Sequence, residues 1–295
     1  MSATLPVSLQ TFYPYTGHYL TLPSGRLHYL DEGEGEAVVM VHGNPTWSFY
    51  YRGLVKALSG RFRCIVPDHI GCGLSDKPQD FSYRLADHID NLECLLDSLK
   101  IERYNLIVHD WGGAIGLGCA GRKPERVGRI VVLNTAAFFL DRLPRRIAIC
   151  RSPRLGEWLV RRWNAFAGPA TRMAVVRPLS PAVRAGYLWP YQSPHDRIAI
   201  ARFVQDIPME SDHPSRDTLA AVEANLKGLT DKPMAIHWGG KDFCFNDHFL
   251  AEWRRRFPAA AIQYYANAGH YVLEDAGDLI APAVASFLAG QRNIG

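Results

Sequence analysis

At 295 residues, 47% hydrophobic and 21% charged, the chain has the make-up of a packed globular enzyme, long enough for one large domain with an insertion or for two small ones. The net charge of +4 is mild for this length, and no basic motif interleaved with aromatics appears, which argues against a nucleic-acid partner. Six cysteines (Cys64, Cys72, Cys94, Cys119, Cys150, Cys244) form no C-x-x-C pair and no Cys/His group at metal spacing, so free thiols, no metal or other cofactor, and a reducing cytoplasmic setting are expected.

The N-terminal residues lack the charged-then-apolar pattern of a signal peptide, and the longest apolar runs, such as Ala37–Val41, are strand-sized, so no transmembrane segment is expected. Residues 18–30 read as two strands around a Pro-Ser-Gly turn. A strand at Ala37–His42, a helix at Ser48–Ser59 and a strand at Phe62–Pro67 follow. Leu85–Leu99 carries Ile89, Leu92, Leu95, Leu96 and Leu99 at helical spacing. Next come a strand at Tyr104–His109, a glycine-rich helix at Gly112–Gly121 and a strand at Val127–Asn134.

Short β-branched strands alternating with helices predict an α/β fold whose mostly parallel sheet is buried on both faces. The alternation stops near residue 135. Up to about residue 212 there are helical patterns, prolines and arginines but no convincing strand. It resumes with a strand at Pro233–Trp238, a helix at Asp247–Phe257, a strand at Ala260–Tyr265 and a helix at Asp275–Ala289. We therefore expect a core of residues 1–135 and 213–295, with residues 136–212 inserted as a helical cap over the carboxyl edge of the sheet, where open α/β sheets place their sites.

In NLIVHDWGGAIGLG (105–118) a strand runs into Asp110, then Trp111, then two glycines that open a helix. This is the layout of a nucleophile elbow, with Asp110 where serine is common and Val108 where G-x-S-x-G has its first glycine. Read alone, Asp110 serves equally well as a helix cap. A carboxylate nucleophile is already ionised at neutral pH and can attack carbon directly, leaving an ester. A histidine is then needed for the second step. His270 lies between the last strand and the last helix, whereas His109 and His69 read as structural. Asp242, just after Pro233–Trp238, is the candidate acid that orients His270; the other location, the end of Val127–Asn134, offers only the uncharged Asn134. Asp247 reads as the N-cap of the next helix. The order 110, 242, 270 is that of the α/β-hydrolase fold. In VHGNPTWSFYYR (41–52), Asn44 can offer an amide donor, and the Trp111 indole can only donate. Jointly they suit an anionic leaving group. Singly, a turn Asn and a packed Trp explain them.

With these residues in place the chain resembles the haloalkane dehalogenase group of α/β-hydrolases, through HGNPTWSF (42–49), PDHIGCGLSDKP (67–78), VHDWGG (108–113), WGGKDF (238–243) and AGHYVLED (268–275). The resemblance implies Asp110 as nucleophile and Asn44 and Trp111 as holders of the leaving anion. Within that group it looks most like the β-lactone decarboxylases of long-chain olefin biosynthesis, through HGNPTWSFYYR, LNTAAF (133–138), RFVQDIP (202–208) and FLAEWRRRFP (249–258). That implies conversion of cis-3,4-dialkyl β-lactones to cis-alkenes and carbon dioxide, and an assembly with other enzymes of that synthesis. The cap should then hold alkyl chains of a small hydrophobic substrate, with Phe138, Trp163, Tyr187 and Tyr191 as candidate lining residues. Residues 142–177 carry nine arginines against one acid, Glu157, a pattern of a solvated helix face or of a docking surface. The alternatives are a hydrolytic haloalkane dehalogenase, an epoxide hydrolase using Tyr187 or Tyr191 as acid, and a non-catalytic ligand receptor.

Overall fold

The computed structural model describes residues 6–140 and 142–291. Eight strands form one sheet: β1 (Gly17–Leu22), β2 (Gly25–Glu32), β3 (Glu36–Val41), β4 (Phe62–Pro67), β5 (Tyr104–Asp110), β6 (Val127–Thr135), β7 (Met234–Gly239) and β8 (Ala261–Tyr265). Their order across the sheet is β1-β2-β4-β3-β5-β6-β7-β8. The β1–β2 and β2–β4 pairs are antiparallel and all later pairs are parallel.

Alternation along the strands explains the burial. Val39, Val41, Leu106, Val108, Ile130 and Val132 feed one core, and Val38, Met40, Ile107, Val131 and Leu133 feed the core on the opposite face. Each such side chain contributes about 1.5–3 kcal/mol when fully buried, and every position of β5 is buried. Helix Leu85–Ser98 turns Leu85, Ile89, Leu92, Leu95 and Leu96 inward, as its spacing predicts.

Because β3, β5, β6, β7 and β8 are parallel, their carboxyl ends share one edge. Val41 lies opposite Val108, Asp110 opposite Thr135, and Gly239 opposite Tyr265. The loops leaving that edge carry Asn44, Asp242 and His270. Between β6 and β7 the described residues contain no strand; helices Arg145–Arg151, Leu155–Trp163, Ala167–Met173, Pro181–Leu188 and Ile198–Gln205 fill that stretch. Helix Arg216–Asn225 packs instead against helix Trp111–Arg122 behind β5. Among the described residues no helix is long and apolar enough to cross a membrane.

Two sequence expectations need correction. The N-cap of helix Asp247–Arg256 is Asn246, whose side chain accepts the His248 N–H at 3.1 Å, so Asp247 is the first helical residue. The last helix begins at Val272, ahead of Asp275, because Glu274 N–H already bonds to the Tyr271 carbonyl at 2.8 Å; the winding breaks at Ala276, where φ is −134°.

Candidate active site

The bend after β5 is imposed by close packing. Asp110 has φ 52° and ψ −129°, a conformation that costs a non-glycine residue about 1–3 kcal/mol and persists only where neighbours enforce it. A Cβ at Gly112 would lie 1.9 Å from the Val41 carbonyl, and one at Gly113 would lie 1.9 Å from Thr135 Oγ1, so the helix can begin there only with glycine. The Thr135 hydroxyl donates to the Asp110 carbonyl and fixes the turn. Asp110 stands at the N-cap position, yet its carboxylate makes no capping bond to the helix beyond the adjacent Trp111 N–H. The capping alternative therefore does not account for it.

The carboxylate faces a cavity instead. Asp110 Oδ1 accepts the Asn44 backbone N–H at 2.6 Å, and the Trp111 backbone N–H also supports the charge. Gly43 permits this approach, since a Cβ there would sit 2.0 Å from Oδ1. Asp110 Oδ2 lies 3.6 Å from His270 Nε2. Burial pushes the Asp110 carboxyl above its ordinary value, against the opposing pull of His270 and the two N–H groups.

His270 Nδ1 is 2.8 Å from Asp242 Oδ2, and since a carboxylate only accepts, the proton sits on Nδ1. Asp242 is itself held by four donors: Cys244 and Phe245 N–H on Oδ1 at 2.7 and 3.0 Å, and Asn134 Nδ2 at 3.0 Å beside His270 on Oδ2. Burial disfavours a charge on His270, but the Asp242 carboxylate and its hydrogen bond, with Asp110 beyond, outweigh it and hold the imidazole above its ordinary value. Below the ring, His109 donates Nε2–H to the His270 carbonyl at 2.9 Å and is stacked on Tyr50, a supporting place; His69 likewise bonds the His42 carbonyl at 2.9 Å.

Two side-chain N–H donors belong to residues that line the cavity. Asn44 Nδ2 gives one hydrogen to the Ile200 carbonyl at 3.1 Å, leaving a second free. The Trp111 indole N–H has no partner among the described residues, while its ring packs on Phe203 at 5.4 Å. Both residues line a cavity of about 180 Å³ together with Asp110 and His270. Apart from Arg142 the rest of the wall is largely apolar, and includes Phe138, Leu143, Ile147, Phe166, Val204, Ile207, Leu219 and Phe249.

The other aromatic expectations fail. Trp163 is 65% exposed and faces away from the cavity. The Tyr187 hydroxyl is spent on Glu274 and its ring stacks on Tyr271, and Tyr191 OH reaches the Thr46 carbonyl at 3.3 Å; neither lines the cavity. Three supports were not foreseen. Thr135 locks the elbow, and Asn134 cross-links Asp242 to Gly239. Asp275 accepts N–H groups of Gly269, Val176 and Arg177 at 2.7–2.9 Å, tying the His270 loop to the cap. Polar residues at strand and helix ends were their only signal in the sequence.

Residues 36–277 match the family model described as alpha/beta hydrolase fold. The chain is 48% identical to the cis-3-alkyl-4-alkyloxetan-2-one decarboxylase of Shewanella oneidensis, over 95% of this chain and 90% of that one. It is 44% identical to the protein of the same name from Xanthomonas campestris, over 95% and 98%. The crystal structure of the haloalkane dehalogenase DbeA from Bradyrhizobium elkani superposes with a TM-score of 0.84 at 28% identity, covering 93% of this chain and 98% of that one. The chain therefore belongs to the α/β-hydrolase fold family.

Proposed function

We propose that this chain is a β-lactone decarboxylase, converting cis-3-alkyl-4-alkyloxetan-2-ones to cis-alkenes and carbon dioxide. The observation that carries this reading is its 44–48% identity, over 95% of its length, to two proteins of that name, against 28–34% to haloalkane dehalogenases of the same fold.

The site suits the chemistry. Asp110 Oδ2 attacks ring carbon 4, and the bond from that carbon to the ring oxygen breaks, releasing ring strain. The freed carboxylate stays attached through carbon 3 and is received by Asn44 Nδ2 and Trp111 Nε1. Asp110 Oδ1 becomes the ester carbonyl and keeps its Asn44 N–H. The bond from carbon 3 to the carboxylate then breaks and its electrons form the double bond. Carbon dioxide leaves, and the ester bond returns its pair to Asp110. No water or proton is consumed. Inversion at carbon 4 followed by anti elimination carries a cis ring into a cis alkene.

His270 acts here as a cation that stabilises the departing Asp110 carboxylate, which fits a pKa held above its ordinary value. The apolar wall takes the alkyl chains. All six cysteines are free, which supports a reducing, cytoplasmic location.

A hydrolytic dehalogenase is the second reading, favoured by the paired Asn44 and Trp111 donors; water would then attack the ester with neutral His270 as base. The epoxide hydrolase reading loses support, because Tyr187 and Tyr191 lie outside the cavity wall. The test is to incubate the protein with a cis-dialkyl β-lactone and, separately, a 1-bromoalkane. Alkene in gas chromatography is the expected result. Bromide release with alcohol, or β-hydroxy acid from the lactone, would overturn it.

A further inference from the structure

We propose that residues 142–177 form a docking face for an anionic lipid surface. Five of the exposed large apolar side chains lie in this one segment: Ile149, Leu155, Trp158, Trp163 and Val176. Helix Leu155–Trp163 shows how they come to face outward. Gly156 and Val160 are buried, and a Cβ at Gly156 would meet the Cys150 carbonyl at 2.1 Å, so that side is pressed on helix Arg145–Arg151. Leu155, Trp158 and Arg162, spaced three and four apart, are left on the outer side, and the Trp163 ring packs edge-on against Trp158 at 5.9 Å. The inner face is already satisfied, so the outer apolar stripe is surplus to the fold.

Charge names the occupant. The nine arginines of the segment face a single acid, Glu157, which is taken by Arg161 and Arg202 at 2.9 and 3.0 Å. Arg151 pairs with Glu210. Arg145, Arg154, Arg162, Arg172 and Arg177 have no acidic partner among the described residues. Arginine around tryptophan and leucine on one short helix is the pattern of an interfacial segment, with indoles at the headgroup level and cations on anionic lipid. The same segment walls the cavity through Leu143, Ile147 and Phe166, and the exposed lining residues are Arg142 in the segment and Phe243 outside it, so the segment borders the opening. A dialkyl lactone partitions into bilayers and would enter here. That last step rests on the proposed function, whereas lipid binding does not.

The test uses the purified full chain and sucrose-loaded vesicles, pelleted by centrifugation, and involves no turnover. The protein should pellet with phosphatidylcholine mixed with phosphatidylglycerol and far less with phosphatidylcholine alone, and added salt should weaken it. Trp158→Ser with Trp163→Ser should lower the partition coefficient about tenfold or more. Arg154→Glu with Arg162→Glu should lower it at least about 25-fold, roughly fivefold per arginine. Lys227→Glu with Arg254→Glu, both exposed residues outside the segment, makes the same change in net charge and should stay within about twofold of the parent. Failure to pellet with the mixed vesicles, or an equal loss in the Lys227/Arg254 variant, would overturn the proposal and leave the face to an acidic protein partner.

Discussion

Asparagine in place of Asp242 changes the electrostatics of the site while keeping its shape. The carboxylate sits among four donors, two backbone N–H groups on Oδ1 and His270 with Asn134 on Oδ2. An amide supplies one accepting oxygen and an NH2 that only donates. If the oxygen keeps Cys244 and Phe245, the NH2 meets His270 Nδ1 and Asn134 Nδ2. Asn134 cannot turn, because its oxygen holds the Gly239 N–H at 2.8 Å and its NH2 the Gly239 carbonyl at 3.1 Å. His270 can move its proton to Nε2, but one donor-to-donor contact stays. Loss of one partner of a buried pair costs about 3–5 kcal/mol. Carried into the transition state, that is a fall of about a hundredfold to a few thousandfold in kcat/KM. The pH profile should move as well. Burial opposes the charge on His270, and Asp242 is the main group reversing it, so without Asp242 the histidine titrates lower. A role as cation is present below that pKa and lost above it, so the alkaline limb of alkene formation should shift to lower pH. A role as neutral base would shift the acid limb instead. Initial rates by gas chromatography across mildly acidic to mildly alkaline buffers decide between them. A variant within about threefold of the parent, with an unmoved profile, would refute the assignment of Asp242.

Asp110→Asn keeps the oxygen that accepts the Asn44 N–H and removes the nucleophile, so turnover should vanish with an unchanged melting temperature. Gly43→Ala drives a methyl to 2.0 Å from Asp110 Oδ1 and should cost at least about a hundredfold in rate, comparable to losing an oxyanion donor, while circular dichroism still shows a folded chain. Trp111→Phe keeps a ring against Phe203 and deletes the indole donor; kcat should fall about a hundredfold with KM nearly unchanged. Asp275→Asn turns an acceptor of three backbone N–H groups into a partial donor, and urea titration should show a loss of about 2–3 kcal/mol.

The sheet was legible because β3, β4, β5, β6 and β7 are short, largely apolar runs buried on both faces, and the end of β5 because two glycines follow Trp111. Boundaries were less legible where a neighbouring residue did the capping, as with Asn246 ahead of Asp247. Of the four aromatic candidates for the cavity wall, Phe138 alone lines it. Trp163, Tyr187 and Tyr191 are as aromatic as the wall residues, and only the rotation of each helix decides which way a ring points. On helix Leu155–Trp163 the inward positions went to Gly156 and Val160, which sent the tryptophans outward.

The grouping of Asp110, Asp242 and His270 was legible as one residue at or beyond the end of each of three strands, but what holds it was not. Asn134 was set aside because it cannot be an anion, and that same neutrality lets it brace Asp242 with an N–H while its oxygen binds Gly239. Asn44 and Trp111 show a division that sequence alone could not separate. Each turns a backbone N–H toward Asp110, a task open to any residue but proline, and each brings a side-chain N–H to the cavity wall, a task only a few residue types can do. In the proposed reaction the backbone pair keeps Asp110 in place through attack and release, since Oδ1 stays an acceptor as carboxylate and as ester. The side-chain pair has no charge to hold until a ring opens, so its value arises in the transition state, where donors already aimed raise the rate without tightening the ground state.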